Sequence, residues 1–567
     1  MDITSKRKVT GSEAVVLSLL NEGVEVAFGY PGGAIMPVYD AIYGYRDKFR
    51  HILCRHEQGA IHAAQGYARV TGKVGMCIAT SGPGATNLIT GLADAMIDST
   101  PIVAITGQVS AALLGTDAFQ ETDVVGISMP VTKWNIQVTK AEDIPAAIAK
   151  AFYIAGSGRP GPVLIDITKN AQFGELDFEY KKEDFIRSYV PKTKTVVSKV
   201  DEAAALINAA KKPYIIFGQG VILGNAEAEF RAFVDKSGIP TAWTIMGAAA
   251  LPKDHPQNVG MLGMHGNYGP NVKTNECDLL IAIGMRFDDR VTGDLKRYAT
   301  QAKVIHMEID PAEINKNIHA DVAVLGDVKE SLPMLTAKIE KREYKAWLQE
   351  FADCHKIEFE KVIDKDLHPT KPGMTMGEVM NLINEKTGGD AILVTDVGQH
   401  QMFAARYFKY KNTRSFVTSG GLGTMGFGLP AAFGAKIGAP NKQVILIVGD
   451  GGIQMTLQEF ATIHQENAAV KVVLLNNKFL GMVRQWQQLF FDKRYSSTEL
   501  VNPDFMKLAE AFYINGKKVD ERKDLSGSID EMLKSEKAFL LEVSIEKEDN
   551  VFPMVPTGAS VSDILLG

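Results

Sequence analysis

The sequence predicts an α/β protein made of three doubly wound, parallel-sheet domains, and three observations carry that expectation. Apolar runs of strand length alternate with helical patterns along the whole chain, which is how buried parallel strands and their crossover helices read. Composition breaks twice, in the charged stretches 179–199 and 342–375, the second a charged helix ending at Pro369 and Pro372. The first and last thirds also repeat one order of parts: small-residue helix, strand, glycine turn, helix. A chain of 567 residues exceeds what one core can fill. The breaks divide it into domains at 1–185, 195–345 and 370–550, followed by a tail at 551–567.

In the first domain a short polar lead enters a helix capped by Thr10, with Glu13 three residues on. The stretch RHEQGAIHAAQGYAR, 55–69, predicts a helix packed closely on both sides, because its residues are mostly small or apolar. Glu57 stands in its first turn, where the helix dipole or an ion pair with Arg55 would ordinarily account for a carboxylate. KVGMCIATS, TPIVAITG and GPVLIDIT are buried strands. The middle domain has PYIIFG, CDLLIAIG and KVIHMEID and reads as Rossmann-like, although GQGVILG does not fit the GxGxxG spacing. In the third domain VILIV leads into Gly449-Asp450-Gly451, and VKVVLLNN ends at Asn476 and Asn477. Each strand ends at a glycine turn, where open parallel sheets bind ligands.

Hydrophobic residues make up 46% of the chain and charged ones 23%, with a net charge of -6. That mild acidity gives no reason to expect nucleic acid or an anionic membrane as a partner. No apolar run reaches the length of a membrane span, and the N-terminus lacks a signal-peptide core. Cys54, Cys77, Cys277 and Cys354 are scattered without a CxxC pair. Neither a zinc site nor a disulfide framework is indicated, and a reducing cytosol fits best.

The strongest chemical signal is in the third domain, where two strands would present Asp450 and Asn477 side by side. Hard oxygen ligands in that arrangement suit an octahedral ion such as magnesium, which fills its other positions with phosphate and water. Gly449, Gly451 and Gly452 would let the backbone approach the phosphates, and a following helix would aim its N-terminus at them.

GDG followed after about two dozen residues by NN resembles the thiamine diphosphate signature. RHEQGA, TSGPGATN, RFDDRVTG, TSGGLGTMGFGLPAA and NNKFLGMVRQWQ together resemble the acetohydroxyacid synthase (acetolactate synthase) family, from about residue 8 to 560. The resemblance implies thiamine diphosphate, Mg2+ and FAD as cofactors, with 2-keto acids as substrates. It also implies a homodimer or homotetramer with active sites at the subunit interface, and a small regulatory subunit. Glu57 matches the glutamate that bonds the thiamine pyrimidine in the partner subunit. Asp450 and Asn477 match metal ligands, with the carbonyl of Phe479 as the third. Val397, Gly398, Gln399, His400, Gly423 and Met482 match positions around the cofactor, His400 having a purely structural alternative. Met425 matches the apolar wedge that bends thiamine, though core packing would also explain it.

From the first domain, Phe119, Gln120 and Lys169 match active-site residues. Core packing is the alternative for Phe119, and a solvated strand end for Lys169. Trp486 matches the residue favouring 2-ketobutyrate as acceptor, or is a packing tryptophan. For the flavin, the resemblance implies Arg159, Gly218, Gly220, Met264, His265, Arg286, Asp288, Arg290, Glu308 and Asp327. A surface ion pair with Asp288 or Asp289 is the other reading of Arg290. The tail would close over the site as a lid. A pyruvate oxidase-like enzyme, in which the flavin takes the electrons, is the alternative activity, and a catalytically silent subunit of the same fold the alternative class.

Overall fold

The computed structural model describes residues 6–370 and 372–567, so most of the polar lead lies outside the described residues. After β1 (Arg7–Thr10) come β2 (Val26–Gly29), β3 (Arg50–Leu53), β4 (Gly75–Ala79), β5 (Ile102–Gln108), β6 (Trp134–Val138) and β7 (Pro162–Thr168). These six form a parallel sheet in the order β3-β2-β4-β5-β7-β6. β8 (Glu175–Phe178) then returns antiparallel to β1 and closes the domain. Thr10 caps the first helix as its sequence predicts, accepting from the Glu13 amide at 3.2 Å.

The middle sheet contains β9 (Pro213–Phe217), β10 (Thr241–Trp243), β11 (Asn258–Met261), β12 (Leu279–Ile283), β13 (Lys303–Glu308) and β14 (Val322–Leu325). Its order, β11-β10-β9-β12-β13-β14, is that of dinucleotide-binding sheets, with the topological switch between β9 and β12. The third sheet contains β15 (Ile392–Thr395), β16 (Phe416–Val417), β17 (Val444–Gly449), β18 (Val470–Asn476), β19 (Asn515–Val519) and β20 (Phe539–Ser544). It runs β16-β15-β17-β18-β20-β19. Counted from β2 and from β15, the first and third sheets share the order 2-1-3-4-6-5, so the repeat read in the sequence is a repeat of topology.

The two repeats meet through equivalent helices. The small-residue helix Glu57–Thr71 lies against Gly428–Gly438, which occupies the same place in the third domain. A Cβ at Gly66 would fall on the carbonyl oxygen of Ala431, and one at Gly434 on that of Ala63. Only glycine permits that approach of two backbones. Phe28, Tyr67 and Phe433 fill the flanks of this seam with edge-to-face ring contacts, and one apolar core spans both domains.

The charged stretch after the middle domain is more than a linker. Helix Lys345–Glu358 buries Trp347, Phe351 and Glu358. The carboxylate of Glu358 pairs with Arg406 of the third domain at 2.6 Å, both side chains being buried. The tail, 551–567, is anchored at several points. Val551 exchanges two hydrogen bonds with the Gln485 side chain (2.9 and 3.0 Å), the Val555 amide donates to Met264 O at 2.8 Å, and Arg297 pairs with Asp563 at 2.6 Å. It straps the middle domain to the third. Among the described residues no helix is long and apolar enough to cross a membrane.

Candidate active site

The carboxyl ends of β17 and β18 build the first part of the site. Gly449 pairs with Leu475, so Asp450 and the Asn476-Asn477 pair leave the sheet side by side, as the sequence predicts. Asp450 is buried, and that burial pushes its carboxyl up to about 6 against hydrogen bonds that favour the charged form. One of its oxygens, Oδ2, accepts from Asn502 Nδ2 at 2.6 Å. Asn502 also donates to Asn476 Oδ1 (3.1 Å) and accepts from Gln454 Nε2 (3.0 Å). Sequence reasoning missed Asn502, because it lies in a loop about fifty residues from Asp450 and only the fold brings the two together. The Asn477 carboxamide oxygen accepts from the Phe479 amide at 3.1 Å.

Among the described residues no group of three or more His, Cys, Asp or Glu could hold a metal ion. A divalent cation here would rest on one carboxylate with neutral oxygens, from Asn477 and the Phe479 carbonyl, which suits an ion that also takes phosphate oxygens. The helix expected after GDG is a single turn, Asp450–Ile453, followed by a separate helix, Glu459–Gln465. Anion binding would therefore depend on local amides and glycines more than on a helix dipole.

Facing this end is the segment 397–402, after β15. Gly398 has φ +154, and His400 packs on the backbone of Gly398 and Gly449. Burial pushes the His400 imidazole down to about 4, so it is neutral at neutral pH, and its Nε2 is buried without a partner. The Gln399 Oε1 is likewise unpaired. Unsatisfied buried polar atoms beside a glycine-lined hollow are what a polar ligand would complete. Gly423 (φ +70) and the half-buried Met425 form the wall opposite, the Met425 methyl coming close to Gly451.

The middle domain supplies a crevice at the β9/β12 switch. Gly218, Gly220 and Gly284 pack so tightly that a Cβ on any of them would meet backbone or Met285 atoms. A backbone kept bare in this way suits the pyrophosphate of a dinucleotide. Arg286 lies 3.8 Å from Asp288, which caps the turn Asp289–Thr292 by accepting from the Arg290 and Val291 amides. Arg290 makes the expected surface ion pair, with Asp289 at 3.6 Å, and also reaches Met264 Sδ. At the far end the buried Glu308 accepts from the Ile309 and Asp310 amides, and burial pushes its carboxyl up to about 7. Asp327 accepts from Lys192 (2.6 Å). Arg159 is held by Ser99, Asp310 and Glu313. His265, pushed down to about 3 by burial, has an unpaired Nδ1.

These two parts are one space. A single cavity of about 930 Å3 runs from Asp327 and Glu308 past Arg159, Gly218, Gly220, Met264, His265, Arg286, Asp288 and Arg290 to Val397–His400, Gly423, Met425, Gly449–Gly452, Asn477, Phe479, Met482 and Trp486. Trp486, half-buried on the helix Gly481–Phe490, is a wall residue and not core. Four expected residues lie outside this cavity: Glu57, Phe119, Gln120 and Lys169. Glu57 is buried, its Oε2 accepting from Asn87 Nδ2 at 2.9 Å, and its Oε1 faces the Gly84 turn. The ion pair with Arg55 does not form. Arg55 donates its amide to Glu459 and its guanidinium to Leu53 O and Gln465. Gln120 (φ +62) packs on Gly82 of the same glycine turn. Phe119 is 88% exposed, which removes the core alternative for it.

Together the switch-point crevice, the GDG turn and the repeated domains define a thiamine-dependent enzyme. The thiamine pyrophosphate enzyme N-terminal TPP binding, central and C-terminal TPP binding domain families match residues 9–127, 200–335 and 396–543. More narrowly, the chain belongs to the acetolactate synthase large-subunit family. It is 47% identical to the acetolactate synthase isozyme 2 large subunit of Escherichia coli, over 98% of this chain and 99% of that protein. It is 45% identical to a probable acetolactate synthase large subunit of Methanocaldococcus jannaschii (98% and 95%) and 44% to the large subunit of Lactococcus lactis (100% and 97%).

Proposed function

We propose that the chain is the catalytic subunit of an acetohydroxyacid synthase that joins pyruvate to a second 2-keto acid. Two pyruvates give 2-acetolactate and carbon dioxide, and pyruvate with 2-ketobutyrate gives 2-aceto-2-hydroxybutyrate and carbon dioxide, both on the way to branched-chain amino acids. The observation that carries the reading is the single cavity joining Asp450 and Asn477 to the β9/β12 crevice, with Met482 and Trp486 in its wall.

Asp450, Asn477 and the Phe479 carbonyl would hold Mg2+, which would neutralise diphosphate charge there. His400 Nε2 and the amides around Gly449–Gly452 would contact the phosphates, with Met425 against the rings. The switch-point glycines, Arg159, Arg286, Glu308 and Asp327 would hold FAD. Bound thiamine diphosphate supplies a carbon nucleophile and an electron sink for the loss of carbon dioxide. Glu57 would serve as the general acid–base group: Asn87 fixes Oε2, and Oε1 faces the Gly84 turn. Met425, Met482 and Trp486 keep water from the reacting carbon. Contact of Trp486 with one extra methyl of the acceptor would favour 2-ketobutyrate by about tenfold to two hundredfold.

Glu57, Gln120 and the exposed Phe119 lie off the chain's own cavity and would complete the site of a second copy. The working form is thus a homodimer or homotetramer in the cytosol, and the "large subunit" names of the relatives favour a small regulatory partner. Acetolactate formation from pyruvate, measured with thiamine diphosphate, Mg2+ and FAD added singly and together, tests the reading. Under nitrogen, flavin bleaching with acetate or acetyl phosphate as the main product would instead identify a pyruvate oxidase-like enzyme.

A further inference from the structure

The segment Thr418–Met425 forms one wall of the cavity, yet it contains Gly420, Gly421 and Gly423 and has few side chains with which to hold itself. Such a segment is conformationally soft. Its own domain ties down the start, where Gln401 Nε2 donates to Thr418 Oγ1 (2.7 Å) and Ser419 O (3.0 Å), and carboxylates of the first domain hold the glycine part. Asp98 Oδ1 accepts from the Gly421 amide at 2.7 Å, and its Oδ2 from the Gly420 amide at 2.9 Å and from Arg69 Nη2 at 2.7 Å. Arg69 Nη1 reaches on to Thr418 O at 2.7 Å. One turn earlier, Asp94 Oδ1 accepts from the Ser419 hydroxyl and from Thr424 Oγ1 (2.8 Å), while Ser419 Oγ accepts from the Thr424 amide at 2.9 Å. All three charged residues are at most 8% exposed.

A buried ion pair alone is poor evidence for stability, since desolvation offsets its attraction. Here both Asp98 oxygens and Asp94 Oδ1 bond one loop, while Asp94 Oδ2 is buried without a partner. From the other side Met246 of the middle domain presses on Gly420.

We propose that Asp98, with Arg69 as its counter-charge, and Asp94 are positioning residues that set the 418–425 wall of the cofactor cavity from the first domain. The inference rests on the proposed function only for the identity of the ligand. Glu459 makes the reverse contact, from the third domain to the amide of Arg55, two residues before Glu57.

The test is hydrogen–deuterium exchange of full-length Asp98→Asn and wild type, followed in peptides covering 416–427, together with titration by thiamine diphosphate and Mg2+. Exchange in 416–427 should quicken by about tenfold or more, and half-saturation should rise by about tenfold to a hundredfold, the scale of a lost hydrogen bond to a charged acceptor. Peptides covering 75–79 and 444–449 should not change. Unchanged exchange and affinity would overturn the proposal, and so would a uniform acceleration over the whole chain, the mark of a general stability role. Should Asp98→Asn fail to fold, Ser419→Ala with Thr424→Val removes the Asp94 contacts and leaves the ion pair intact. It should loosen the same peptide, and no change there would equally overturn the proposal. A wild-type chain that binds no thiamine diphosphate would sink the functional reading, while the exchange data would still decide on the clamp.

Discussion

The first and third domains are built on one plan, and the proposed function gives them opposite chemical uses. Both sheets run 2-1-3-4-6-5, and both place a small-residue helix after their second strand. At the end of β17 the third domain offers Asp450, Asn477 and bare glycine backbone, a setting for a cation and phosphates. At the corresponding end of β4 the first domain has the turn 80–87 folded over Glu57, whose carboxylate is met by the neutral Asn87. Topology thus fixes where a ligand end lies. A handful of side chains decides whether that end binds charge or handles a proton.

The comparison can be broken most directly at Glu57. Glu57→Gln keeps the hydrogen-bonding shape and removes the acid, so acetolactate formation should fall by about a hundredfold to ten-thousandfold, with thiamine diphosphate binding largely kept. An initial-rate assay at saturating cofactor that found wild-type turnover would remove the proton role from the first domain. On the third-domain side, Asn502→Ala frees Asp450 Oδ2 from its fixed partner. Mg2+ affinity, measured by titration of the metal-stripped protein, should weaken about tenfold to a hundredfold.

The shared seam comes next. Gly434→Ala would push a methyl into the Ala63 carbonyl, costing about 1–3 kcal/mol or more despite the better helix propensity of alanine. Gly527, on the exposed face of the helix Arg522–Lys534, has nothing within 4 Å of the same position. Gly527→Ala should therefore stabilise by about 0.5–1 kcal/mol, and thermal unfolding of the two variants should shift in opposite directions.

A last difference is titratable. On β7 of the first domain, Asp166 accepts from Thr106 (2.7 Å), Gln137 (2.9 Å) and Gln108 (3.1 Å), and burial pushes its carboxyl from 3.8 up to about 6. The folded chain thus holds this proton more tightly than the unfolded one. The stability it contributes is present below about pH 4 and is lost as pH rises through about 6. Asp166→Asn should flatten the pH dependence of the unfolding midpoint across that window.

Much of this was legible in the sequence where the signal is local. VILIV, PYIIFG and GPVLIDIT became strands because a run buried on both faces is almost wholly apolar, the hydrogen-bonded Asp166 being the exception. The tight packing of 55–69 followed from its small residues. What escaped was non-local. The charged helix expected within 342–375 does form, but its burial of Trp347 and the pairing of Glu358 with Arg406 did not show in its sequence. Asn502 and the Asp94–Asp98 clamp belong to loops and turns whose partners lie far along the chain. The short turn after Asp450 also reads as a longer helix, because helix length depends on packing.

By itself the sequence determined the three parallel sheets, their order of parts and the oxygen-bearing side chains that the GDG and NN turns bring together, since strand burial and glycine freedom act within a few residues. Only the tertiary structure decided that the β9/β12 crevice and the GDG end open into one cavity, that Glu57 lies outside its lining, and that first-domain carboxylates bond its glycine wall. Those facts depend on how separately folded sheets are pressed together, and no local stretch of sequence encodes them.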